Sequence, residues 1–156
     1  MYCVEDADVE IVGRAIDLLN NASVLLYGDD TDLLVLALHH LRQIELQNKF
    51  YMFRPMSGSY IDIECVFKSN SASIVTNILA IHALSGCDTV SQAFGVGKTK
   101  LVKLVAKNPE LTEDLQIFSM PDQSKTVILK AGLRILTSFY VGMQKKTTNY
   151  ADLRSL

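Results

Sequence analysis

A chain of 156 residues, 49% hydrophobic and 21% charged, can bury one sizeable core and has little length left for a second. The formal net charge of −2 excludes a globally basic nucleic-acid binder and leaves local patches to decide. The apolar run 33–38 is far too short for the roughly 18 to 20 residues of a membrane span, so no membrane partner is expected.

From Glu5 to Asn20, apolar residues recur at spacings of three and four (Ile11, Val12, Ala15, Ile16, Leu19), which predicts a helix with one buried stripe. "SVLLY", Ser23 to Tyr27, reads as a buried parallel strand covered on both faces. "TDLLVLALHHL" follows as a helix with Asp30 or Thr31 at its N-cap. "KFYMFRP" is a further strand, closed by Pro55. "SGSYIDIECVF" opens on a turn and alternates around Ile61 to Glu64 as a strand does. A long helix is predicted from Ser71 to about Leu84. Beyond Gly95 only helical patterns remain, in "GKTKLVKLVAK", "PELTEDLQIF" and "SKTVILKAGLRILTSFYVG". Strands alternating with helices indicate an α/β fold with a mostly parallel sheet, followed by a helical C-terminal extension.

Cys3, Cys65 and Cys87 are odd in number and lack CxxC spacing, and Glu5, Asp6 and Asp8 stand where a leader would need apolar residues. The expected setting is intracellular, with free thiols. His39, His40 and His82 lack zinc-ligand spacing relative to these cysteines and read as helix-surface or core residues.

Two acidic clusters stand out. Carried back one turn, the stripe of the first helix reaches Asp8, and a carboxylate on a buried face needs a partner, a proton or a cation. Asp30 and Asp32 follow a strand, where open parallel sheets place their ligand crevice. With Asp8 they would form an oxygen-rich site suited to Mg2+ or Mn2+. The competing reading is plain helix starts, since acids in a first turn suit the macrodipole.

The third cluster is "HALSGCDTVSQAFGVGKTKLVKLVAK", residues 82 to 107. A P-loop would require Gly at position 92, which is Gln92, and no strand leads into the loop, so a nucleotide-binding reading is rejected. A Gly-x-Gly turn before a helix N-terminus instead allows close approach to a phosphate. Lys98, Lys100, Lys103 and Lys107 concentrate positive charge along the helix that follows, enough to grip a nucleic-acid backbone without reading its sequence. The alternative is an interhelical turn with a solvated lysine face.

The order "EDAD", strand, "DDTD", "SGCDTV", "FGVGKTKLVKLV" resembles the nuclease core of the flap endonuclease and XPG family, within the PIN-like fold. It is closer still to eukaryotic PIN-like proteins of unassigned role, often associated with mobile elements. The resemblance covers roughly residues 4 to 107 and implies a partial three-layer core. It implies a single domain over 1–156: an acidic α/β core at 4–90, a Gly-x-Gly helical hairpin at 91–107 and a helical extension at 108–156. It further implies that Asp6 and Asp8, with Glu5 as a substitute, form the first acidic pair, Asp30 and Asp32 the second, and Asp88 the later carboxylate. Together these would hold a two-metal Mg2+ or Mn2+ site. Gly95, Val96, Gly97 and Lys98 match the hairpin, which in the family binds duplex DNA through a monovalent cation such as K+; Lys100 and Lys103 lie just beyond. The family opens with a strand ending in a metal-binding Asp, and this chain starts after that point, so a truncated or degenerate form is expected. Asp in place of the family's usual Glu in the first pair shortens the reach by one methylene.

The function expected is therefore metal-dependent, structure-specific cleavage of branched or junction-containing DNA, in the nucleus. A non-catalytic PIN-like module that binds nucleic acid or protein is the first alternative, and an RNA-cutting PIN domain, which would not need the hairpin, is the second.

Overall fold

The computed structural model describes residues 6–86 and 97–144, without the side chains of 142–144. The chain divides into two compact units, Met1–Leu79 and Ala80–Leu156, treated separately below.

The first unit begins with α1 (Ala7–Leu19), then β1 (Val24–Tyr27) and α2 (Thr31–His40), which tightens into a 3-10 turn at Leu41–Gln43. Of the predicted stripe of α1, Val12, Ala15 and Leu19 are buried and Ile16 is half-buried, while Ile11 at its edge is 47% exposed. β2 (Phe50–Arg54) and β3 (Ser59–Asp62) follow, then α3 (Ile63–Ser69), α4 (Ala72–Thr76) and α5 (Ile78–Leu84), which carries the boundary between the units.

The sheet has three strands in the order β1-β2-β3. β1 pairs with β2 in parallel, Val24 opposite Phe50, and β2 pairs with β3 antiparallel, Met52 opposite Ile61. The chain is thus α/β, mostly helical, and the expectation of a mostly parallel sheet is corrected to a small mixed one. The cause lies in 55–58, a tight connection whose Gly58 takes a left-handed φ of 62° and sends β3 straight back along β2.

Three further expectations change. The alternation at Ile61 to Glu64 is only half strand: the Asp62 side chain accepts the Cys65 N–H at 2.9 Å and starts α3 there, so an N-cap overrides a pattern too short to hold a strand. The long helix from Ser71 to Leu84 is broken at Asn77, whose side-chain Nδ2 donates to the Ser73 carbonyl at 2.8 Å and whose backbone leaves helical geometry. β1 is not covered on both faces: Leu26 is buried, but Leu25 and Tyr27 are 50% and 71% exposed. The reason is that β1 forms the sheet's edge and the helices pack on one face only.

That face holds the core of the unit, in which Leu26, Phe50 and Met52 meet Val12, Ala37, Leu38 and Ile63. The opposite face carries an aromatic row across the strands, Tyr27 to Phe53 at 5.6 Å and Phe53 to Tyr60 at 4.7 Å between ring centroids.

In the second unit, α6 (Lys98–Lys107), α7 (Leu111–Ile117) and α8 (Lys125–Gln144) are helical as predicted. α8 buries Ala131, Ile135 and Phe139 at a strict four-residue spacing, and α7 packs against it through buried Leu111 and Leu115. Asp114, buried on α7, accepts a bidentate ion pair from Arg134 of α8. Among the described residues no helix is long and apolar enough to cross a membrane.

One titration is built into α2. Burial pushes His39 below its ordinary value of 6.5, with Arg42 and then His40 adding to the effect. Below about pH 6.5 the unfolded chain takes up a proton that the folded chain resists, so this stability is complete above 6.5 and is lost as the pH falls toward the lower folded value. The melting temperature is expected to fall between about pH 7.5 and pH 5.5, by less in His39→Gln than in the wild type. An equal fall in both would remove His39 from the account.

Candidate acidic site and lysine face

Asp6 and Asp30 do the same local work. Asp6 is the N-cap of α1 and its Oδ1 accepts the Asp8 N–H at 3.2 Å; Asp30 is the N-cap of α2 and its Oδ1 accepts the Asp32 N–H at 2.9 Å. In each pair the first carboxylate satisfies a helix-start amide and the second lies within the first turn, where the helix dipole favours negative charge. Of the two candidate caps for α2, the structure selects Asp30 over Thr31.

Topology brings the two pairs toward one end of the first unit. Residues 20–23 turn the chain back from α1 into β1, so the start of α1 lies toward the C-terminal end of β1, where α2 begins. Ala7 at the head of α1 lines the same groove as Leu26, late in β1, and α1 packs along α2. Asp8 and Asp32 are half-buried, whereas Asp6 and Asp30 are exposed.

Asp29 plays a different part, which sequence reasoning missed. Its two carboxylate oxygens accept the Met56 N–H at 3.2 and 3.1 Å, and Arg54 Nε lies 3.9 Å away. It ties the β2–β3 turn to the loop after β1. Its partner is 27 residues distant in sequence, and no local pattern signals it.

Among the described residues no three His, Cys, Asp or Glu side chains group closely enough to hold a metal ion. The two candidate pairs stand at the starts of α1 and α2. Glu5 and Asp88 lie outside the described residues.

Gly95 and Val96 of the Gly-x-Gly turn also lie outside them. Gly97 is the N-cap of α6 and Lys98 its first residue. Leu101 and Val105 face inward from α6, and Lys100, Lys103 and Lys107 are exposed. The helix thus has an apolar stripe and a lysine face.

Searches against protein-family models, curated proteins and solved structures return no match to this chain.

Proposed function

We propose that the chain is a PIN-like nuclease core of the flap endonuclease and XPG type, which hydrolyses phosphodiester bonds in branched DNA with Mg2+ or Mn2+. The observation that carries this reading is the repeated cap, Asp6 with Asp8 at the head of α1 and Asp30 with Asp32 at the head of α2, the helices on either side of β1 in the chain. The second pair lies beyond the C-terminal end of a parallel strand, where α/β folds place ligands.

The donor set fits the metal in kind, because it offers only hard oxygens. Mg2+ keeps several waters and commonly takes one or two protein carboxylates together with substrate phosphates, so a pair can serve one ion without a cage of three. Asp8 and Asp32, each in the first turn of its helix, would hold it, with Asp6 and Asp30 positioning their turns. The family resemblance adds Glu5 and Asp88, which lie outside the described residues. A bound divalent ion supplies Lewis-acid polarisation of the phosphate and hydroxide at neutral pH. The chain's own contribution is to hold the charge, to aim two helix N-termini toward the phosphate, and to steady the DNA backbone through Lys98, Lys100 and Lys103, with Gly95 to Gly97 and a K+ at the turn.

The test is calorimetric titration of Mn2+ into the chain beside a double variant, Asp30→Asn with Asp32→Asn. Asn caps a helix as well as Asp does, so α2 stays intact while the ligand charge is removed. Binding is expected in the wild type and weakened roughly tenfold or more in the double variant. Cleavage of a flap substrate should fall by at least about a hundredfold, the equivalent of losing several kcal/mol of transition-state stabilisation. Equal Mn2+ affinity in both proteins would refute the assignment at this loop. Asp30→Ala is the control for folding: it should cost about 1 kcal/mol through the lost cap.

A second reading is favoured by the exposed lysines of α6. Here the chain is a non-catalytic module that binds nucleic acid, RNA included, or a protein partner. It predicts no Mn2+ uptake, but DNA binding that weakens with salt and weakens further in Lys100→Ala with Lys103→Ala.

A further inference from the structure

Among the described residues of the first unit, every lysine and arginine side chain but one donates a hydrogen bond. Arg14 donates to Glu10 at 3.3 Å, Arg42 to the Thr76 carbonyl at 3.1 Å, and Lys49 and Lys68 both to Glu64, at 3.2 and 2.6 Å. The exception is Arg54, whose Nε is buried without an acceptor although the side chain as a whole is 43% exposed. Asp29 meets it in charge only: the carboxylate Oδ1 lies 3.9 Å from Nε, within ion-pair range and too far for a hydrogen bond. Both oxygens of Asp29 already accept the Met56 N–H. A guanidinium offers five donors in a rigid fork, and a buried donor left without an acceptor costs free energy.

The place of Arg54 in the sheet is that of the candidate site. β2 runs parallel to β1, and Gly28 N–H donates to the Phe53 carbonyl at 3.0 Å, so Arg54 stands at the same strand end as the loop that carries Asp29 and Asp30. The two-residue period of β2 sets it on the face of buried Phe50 and Met52, opposite the aromatic row. Its backbone is fixed by pairing with Ser59 of β3, by Pro55 directly after it, and by the hold of Asp29 on Met56.

We propose that Arg54 binds a backbone phosphate of duplex DNA beside the start of α2, through the parallel N–H donors of its fork. The inference rests on the nuclease reading for the substrate it names. A phosphodiester that approaches Asp29, Asp30 and Asp32 meets like charge, and a fixed cation next to them offsets that repulsion. Lys98, Lys100 and Lys103 belong to the second unit, so Arg54 is the cation of the first unit with donors to give. Asp29 steadies the guanidinium by charge without occupying its donors, and a phosphate oxygen supplies the acceptor that Nε lacks.

The test is binding of a flap-bearing DNA duplex in EDTA, followed by fluorescence anisotropy from about 50 to 200 mM KCl, where neither metal uptake nor cleavage enters the reading. Each phosphate contact contributes about 0.9 to the slope of log affinity against log salt. Arg54→Gln is expected to reduce the slope by about that amount and to weaken binding about three- to tenfold. Arg54→Lys keeps the charge and loses the fork, so the slope should return to the wild-type value with an affinity between the two. Arg14→Gln removes a cation of the same unit that is already paired on α1, and should change neither quantity. A purely structural role for Arg54 would lower the melting temperature and leave the salt slope where it was. An unchanged slope in Arg54→Gln overturns the proposal, as does a wild type that binds no DNA. Mn2+ calorimetry and flap cleavage on the same proteins separate this result from the nuclease reading. An unchanged slope beside intact Mn2+ uptake and cleavage removes Arg54 alone. A slope reduced by one contact in a chain that takes up no Mn2+ upholds Arg54 as a DNA contact and removes the nuclease.

Discussion

Phe50→Ala is expected to destabilise the chain by about 3–5 kcal/mol in urea denaturation, the cost of emptying a large aromatic site that cannot fully collapse. Phe50 is fully buried, pairs with Val24 in the only parallel ladder among the described strands, and stands in the core on which α1, α2 and α3 converge. Folded domains hold only about 5–15 kcal/mol in reserve, so the loss is a large fraction of the whole, worth roughly 10 °C in melting temperature. Tyr60→Ala is the matched control. Tyr60 is 68% exposed at the end of the aromatic row, and its removal should cost no more than about 1 kcal/mol. Similar costs for the two would mean that the helices do not cover the face carrying Phe50.

The second large effect is expected in α8. Ile135→Ala should cost about 2–5 kcal/mol, while Leu133→Ala, two positions away, should cost under about 1 kcal/mol. Ile135 is 1% exposed and shares its face with Ala131 and Phe139, opposite buried Leu115 of α7; Leu133 is 54% exposed. The contrast isolates the face, because helix propensity changes little and in the same direction at both sites. Protection of α7 amides from hydrogen exchange should fall in Ile135→Ala and persist in Leu133→Ala. Loss of protection in Leu133→Ala would place the packing stripe on the wrong side of α8.

Helices with a clean period were legible in the sequence because their burial is periodic. Val12, Ala15 and Leu19 on α1 lie inside as their spacing predicts, although Ile11 of the same stripe is exposed. β1 and β2 were legible as short apolar runs bounded by polar residues and a proline. What escaped is set by one residue or by distant ones. Asn77 breaks a helix by bonding back to Ser73, and Asp62 converts a strand pattern into a helix start. The exposure of Leu25 and Tyr27 depends on strand order, which no window of sequence contains. For the acidic site, the sequence located both pairs and offered capping and metal binding as rival explanations. The structure makes capping a fact for Asp6 and Asp30.

Asp29 carries a consequence of its own. Its hold on Met56 and Asp30's hold on the Asp32 amide are both requirements of folding. A lineage that had lost all catalysis would still be under pressure to keep "GDD", since drift at either position loosens a turn or frays a helix. Survival of those two acids in a descendant is therefore a record of architecture.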